Sequence, residues 1–137
     1  MLRLYGIAAL LHLYVAARLV PDLLPMGTAA IAAMSVGLLA STVLIPFAFY
    51  ARRRSVRRFS LVLAWAGLLA MGMFSSLFAL SLLRDLALVG GFTLSRFFLI
   101  EEPLEHFRNW SAVAVPLLAG LFTAAGFINA RRRAGVR

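Results

Sequence analysis

Two histidines and five carboxylates are the whole stock this 137-residue chain has for acid–base or metal chemistry, and their spacing assembles none of it. His12 stands in an apolar run and His106 in a polar one, so they are ill placed to share a metal or to bracket a haem. Glu101, Glu102 and Glu105 cluster beside Pro103. That pattern reads as a solvated turn opening a short helix, with Glu105 and Asn109 one turn apart. No Asp-x-His occurs, and without any lysine there is no phosphate-cradling glycine loop ending in that residue. Ser75-Ser76 has no histidine beside it to act as base, which leaves a nucleophile reading weak. The absence of cysteine excludes disulfides, thiol catalysis and cysteine-ligated metals. No catalytic residue, metal ligand set or cofactor is therefore assigned to this chain.

The elements that must position these residues have the composition of a membrane protein. The chain is 63% hydrophobic with a mean hydropathy of +0.93, whereas a soluble domain is roughly half apolar. So small a body leaves much of its surface exposed, and lipid is the natural solvent for the surplus. A spanning helix needs about 20 apolar residues. Four such runs are marked off by charge or proline, at about 4–20, 26–50, 59–83 and 110–128, with a kink predicted at Pro46. The chain is thus expected to be a single all-α integral membrane domain, a bundle of four transmembrane helices. A cleaved signal peptide is the lesser reading of the first run, because His12 and Tyr14 interrupt it and another span follows closely. Residues 86–100 are apolar but broken by Gly90-Gly91, interrupted by Arg96 and ended by Glu101-Glu102-Pro103. Too short to span, they predict an interfacial or re-entrant segment with Phe92, Phe97 and Phe98 toward lipid, within an outer connection at 86–109.

Net charge is +9, and all fourteen cations are arginine. Arg52, Arg53, Arg54, Arg57 and Arg58 fill the second connection, and Arg131, Arg132, Arg133 and Arg137 fill the tail at 130–137. The first connection, Pro21 to Pro25, has none, and the third sets Arg84, Arg96 and Arg108 against four carboxylates. The positive-inside rule then places the second connection, the tail and both termini in the cytoplasm, which an even number of spans satisfies. The basic clusters, Arg52 to Arg58 and Arg131 to Arg133, are the expected contacts for anionic headgroups. Nucleic acid is not an expected partner, since the arginines gather at the ends of apolar runs.

Between helices in lipid, small residues and polar contacts drive association. Ala29, Ala33, Gly37 and Ser41 recur at four-residue spacing and predict a packed seam; Gly72 with Ser76, and Gly120 with Ala124, repeat it weakly. Arg18 and Asp22 end the first helix on the same side as Arg84 and Asp85 end the third. A polar clamp is expected there, Arg18 to Asp85 and Asp22 to Arg84, because an unpaired charge in hydrocarbon costs roughly 2.5–3.5 kcal/mol. Separate wetting of the four at the interface is the alternative. His12, Tyr14 and Ser76 are candidate bundle-facing polar groups; for His12, bonding to a neighbouring helix is the simpler reading and a ligand or proton-relay role the sharper one.

Leu11-His12-Leu13-Tyr14, Arg18-Leu19-Val20-Pro21-Asp22-Leu23, Ala64-Trp65-Ala66-Gly67 with Met71-Gly72, and Leu83-Arg84-Asp85 follow in order. In these motifs, and in Asn129-Ala130-Arg131-Arg132 at the end of the last helix, the chain resembles the N-terminal membrane domain of bacterial transmembrane metallophosphoesterases, of the calcineurin-like phosphohydrolase superfamily. The resemblance spans Leu4 to Arg133 and implies the bacterial cytoplasmic membrane. It also implies phosphoester hydrolysis at a two-metal centre, whose Asp-x-His, Gly-Asp, Asn-His and Gly-His-x-His ligands lie in a domain after the membrane part. Asp22 leads into Leu23-Leu24 and Asp85 into Leu86-Ala87, so neither begins such a motif. The expectation is a membrane half, inactive by itself, that anchors and regulates a following or separate phosphoesterase domain. A stand-alone bundle that binds lipid or another hydrophobic molecule, or serves as a complex subunit, is the alternative. A transporter ranks third, since no internal repeat is evident and a path would need an oligomer.

Overall fold

The computed structural model describes residues 2–51, 58–98 and 104–132. Among them only Val20 and Gly27 lie outside a helix. Helix α1 is Leu2–Leu19, followed by a 3-10 segment, Pro21–Met26; α2 is Thr28–Ala51, α3 Arg58–Phe98 and α4 Leu104–Arg132. Arg52, Arg53, Arg54, Arg57, Arg133, Arg137, Glu101, Glu102 and Pro103 lie outside the described residues. Arg58 opens α3, and Arg131 and Arg132 close α4.

The reversal between α1 and α2 follows from three residues. Pro21 starts the 3-10 segment, where its fixed φ and missing N–H cost nothing. Gly27 ends it at φ 91°, a conformation side chains disfavour, and its N–H donates to the carbonyl of Leu24 at 3.2 Å. Thr28 then begins α2. Three helices carry stretches long and apolar enough to cross a membrane, Thr28–Phe47, Leu61–Phe97 and Glu105–Ala130, while the apolar stretch of α1, Tyr5–Leu19, is shorter.

Over the described part of residues 86–109 the chain differs from a short segment of its own: α3 continues without a break through Gly90 and Gly91 to Phe98, and α4 begins at Leu104 rather than near Trp110. Glycine costs a helix about 1 kcal/mol, but extending an existing helix avoids the nucleation penalty. The Thr93 hydroxyl reaches the carbonyls of Val89 and Gly90 at 3.0 and 2.8 Å, and Arg96 lies over the Phe92 ring one turn back. Glu105 in the first turn of α4 complements that helix's positive end. Phe92 and Phe97 are exposed. At 41 residues α3 is about 62 Å long, twice a hydrocarbon core of about 30 Å.

Packing centres on α3, which adjoins both α2 and α4, while α1 sits against α2, α3 and the 3-10 segment. The core gathers Val15 and Leu19 of α1, Leu23, Leu38 of α2, and Phe74 and Leu77 of α3 against Ala112, Val115 and Ala119 of α4. Outward faces are equally apolar: Leu10, Leu39, Leu86 and Leu121 are among many large exposed hydrophobics. A surface of that kind belongs in lipid. The predicted seam on α2 is also corrected. Ala29, Ala33 and Gly37 are exposed, and a Cβ placed on Gly37, Gly72 or Gly120 would meet no neighbour within 4 Å. The small residues do not draw a helix close here; they leave space.

A Cβ at Gly90 also meets nothing within 4 Å. Gly90→Ala is therefore expected to stabilise the protein by about 0.5–1 kcal/mol in reversible unfolding in detergent. Destabilisation would contradict a continuous α3.

Candidate functional site

Arg84 is the most heavily engaged side chain, buried with its charge inside the bundle. Its position two-thirds along α3 brings it level with the end of α1, the 3-10 segment and the start of α4. The guanidinium donates to four acceptors. Nε reaches Ser111 Oγ at 2.8 Å, Nη1 reaches the Arg18 carbonyl at 3.2 Å, and Nη2 reaches both the Arg108 carbonyl at 3.0 Å and Asp22 Oδ2. The Arg18 carbonyl belongs to the last turn of α1, whose carbonyls lack helical partners. Planar, five-donor arginine suits this arrangement where a point cation does not.

Around this hub the other charges close a network. Arg18 Nε lies 2.9 Å from Asp85 Oδ2, and the Tyr14 hydroxyl donates to that same oxygen at 2.6 Å. Arg108 Nε contacts Asp22 Oδ1 at 3.0 Å. The structure thus brings Arg18, Asp22, Arg84 and Asp85 together with Tyr14, and adds Arg108 and Ser111. Burial separates the pairs energetically. The Arg84 side chain is 3% exposed, so removing its partner strands a buried charge, at a cost of about 3–5 kcal/mol. The Arg18 side chain is 57% exposed, and solvent screens its pair to roughly 0.2–1 kcal/mol.

His12 lies deeper and is buried. Its Nδ1–H donates to the Ala8 carbonyl at 2.7 Å, and Nε2 accepts from the Ser41 hydroxyl at 2.8 Å in the neutral tautomer. That single hydroxyl proton has the Leu38 carbonyl, at 2.9 Å, as its other acceptor. The Phe74 ring stacks on the imidazole at 3.6 Å between centroids. One residue of α1 is so tied to both α2 and α3. Ser41 Oγ and His12 Nε2 stand at hydrogen-bond distance, and the amides around Ser41 are held within α2. Ser76 is half-buried; Ser81 is fully buried, and its hydroxyl has no hydrogen-bond partner among the described residues. His106 is exposed beside Trp110. No group of three metal-ligating side chains occurs among the described residues, so no step through a two-metal centre can be built on them.

Beside His12 an apolar cavity of about 440 Å³ lies between α2 and α4, with α3 as its back wall. Ala33, Gly37 and Ser41 of α2 line it, opposite Phe74 and Leu77 of α3 and Pro116 of α4. This volume falls in the range of small-molecule sites. Sequence reasoning missed Arg108, Ser111 and Ser41 as site residues. Arg108 and Ser111, three apart on one helical face, were readable as partners only with α4 starting before Trp110.

Double-mutant cycles should rank the two ion pairs by burial. Coupling between Arg84 and Asp22 is expected at about 1.5–3 kcal/mol, and between Arg18 and Asp85 below about 1 kcal/mol. The reverse order, read from unfolding in mixed micelles, would contradict the geometry. No family model, curated protein or solved structure matches the chain.

Proposed function

We propose that this chain is a four-span anchoring domain of the bacterial cytoplasmic membrane, with both termini inside, and that it holds and regulates a metallophosphoesterase-type phosphohydrolase without hydrolysing substrate itself. One observation carries the reading. Tyr14, Arg18, Asp22, Arg84 and Asp85, which lie in the motifs that resemble the membrane domains of those enzymes, converge on one network tying α1, the 3-10 segment, α3 and α4.

Four spans require α1 to cross with the other three. Its 18 residues rise about 27 Å, near the hydrocarbon core of about 30 Å, although its apolar stretch, Tyr5–Leu19, is shorter. The arginines at 52–58 and 131–137 then meet anionic headgroups on the cytoplasmic side, and a following or separate domain bearing the metal ligands would sit there. An oligomer fits the exposed apolar faces. The second reading, a bundle that binds a hydrophobic molecule, is favoured by the cavity between α2 and α4.

Fluorescent-protein and alkaline-phosphatase fusions at Arg137 test the orientation. Fluorescence with no phosphatase signal is expected, and a periplasmic signal would overturn it. Reading the coding frame beyond Arg137 tests the partner: an Asp-x-His and Gly-His-x-His domain supports the anchor, and a stop with no phosphohydrolase nearby favours the second reading. With manganese, this chain alone should hydrolyse phosphoesters no faster than background.

A further inference from the structure

The cavity and the polar clamp share one side of α3. Leu77, in the cavity wall, is two turns before Arg84 and so on the same face. Ala70, the deepest α3 residue of the wall, lies about 20 Å from the clamp along the helix. The 3-10 segment joins the two features: Asp22 binds Arg84 and Arg108, and Leu23 and Met26 line the clamp end of the cavity. The cavity is therefore a long slot parallel to the helices, deeper than one leaflet's hydrocarbon of about 15 Å. Ser41, already bonded to His12, is the one lining residue with a polar side chain.

At the clamp end Arg18, Arg84 and Arg108 face Asp22 and Asp85, and Glu105 stands one turn before Arg108 on α4. Arg108 engages Asp22 through Nε while its side chain stays 51% exposed, leaving a guanidinium edge toward the surroundings. An apolar slot, with a half-exposed arginine paired to Asp22 next to the Leu23 that lines it, fits an amphiphile with a hydrocarbon tail and an anionic head.

We infer that the cavity seats one acyl chain of an anionic phospholipid, with the lipid phosphate beside Arg108. Assignment to the outer leaflet rests on the four-span orientation proposed above; binding itself does not. The small residues Ala33 and Gly37 make the space, and Arg108 selects the charge.

Native mass spectrometry of the full chain in detergent tests this with three probes: long-chain phosphatidylglycerol, phosphatidylcholine of the same chains, and dihexanoyl phosphatidylglycerol. The first is expected to bind about tenfold more tightly than either of the others. Gly37→Leu and Ala33→Leu, which fill the slot, should each remove that advantage over the short-chain lipid, and Arg108→Gln should remove the advantage over phosphatidylcholine. Unchanged affinity in both slot-filling variants, or equal binding of the long and short phosphatidylglycerols, would overturn the inference. A wild-type measurement stands apart from the folding of any variant. Phosphatidylglycerol with a diazirine deep in its chain should label 30–44 and 70–77, and labelling spread evenly over the lipid-facing surface would also overturn it. Reporters showing the opposite orientation, with lipid binding intact, would move the site to the inner leaflet and refute the topology alone.

Discussion

A guanidinium held inside a helical bundle in lipid must find an acceptor for each donor it withdraws from water, and Arg84 finds four. Those acceptors come from the end of α1, the 3-10 segment and the first turns of α4, so one side chain fixes three elements on a fourth. In lipid the hydrophobic effect gives helices little reason to associate. A buried polar hub supplies direction as well as energy, since its partners are satisfied in only one arrangement. The remaining contacts take their places from it: Asp22, held by Arg84, positions Arg108, and the level of the clamp on α3 sets which residues of α1 face Phe74 and Phe78.

His12 makes a second, lesser tie below the first. It bonds Ser41 of α2 and stacks on Phe74 of α3, while Tyr14, two residues on, reaches Asp85 and packs edge-on to Phe78. Alternate residues of a helix point to different sides, so α1 is gripped on two faces by neighbours that themselves adjoin. The cavity follows from the same architecture. Both α2 and α4 lean on α3, and the row of small residues along α2 leaves the volume between them unfilled by protein.

Much of this was legible in the sequence because charge inside an apolar chain has few places to go. The partners of Arg18, Asp22, Arg84 and Asp85 could be reasoned from their shared level at helix ends, and the bundle-facing role of His12 from its apolar surroundings. What could not be read has physical reasons. Gly90-Gly91 has the composition of a break, yet a helix already propagating passes through at modest cost, so α3 outran its predicted end. The short helix expected at Glu105 and the span expected from Trp110 are one helix, because the polar His106 and Arg108 end the apolar run without breaking the backbone. Ala33, Gly37 and Ser41 carry the spacing of a packed seam, and spacing alone does not say whether a partner fills it. Ser41 has the size such a seam needs, yet its hydroxyl is what holds His12.

The geometry of Arg84, not merely its charge, organises the bundle. Unfolding of Arg84→Lys beside the wild type, in mixed micelles at neutral pH, tests it most directly. A lysine keeps the charge but cannot reach acceptors on three elements at once, and a loss of about 2 kcal/mol or more is predicted. Stability equal to that of the wild type would contradict the account, because a point charge opposite Asp22 would then suffice.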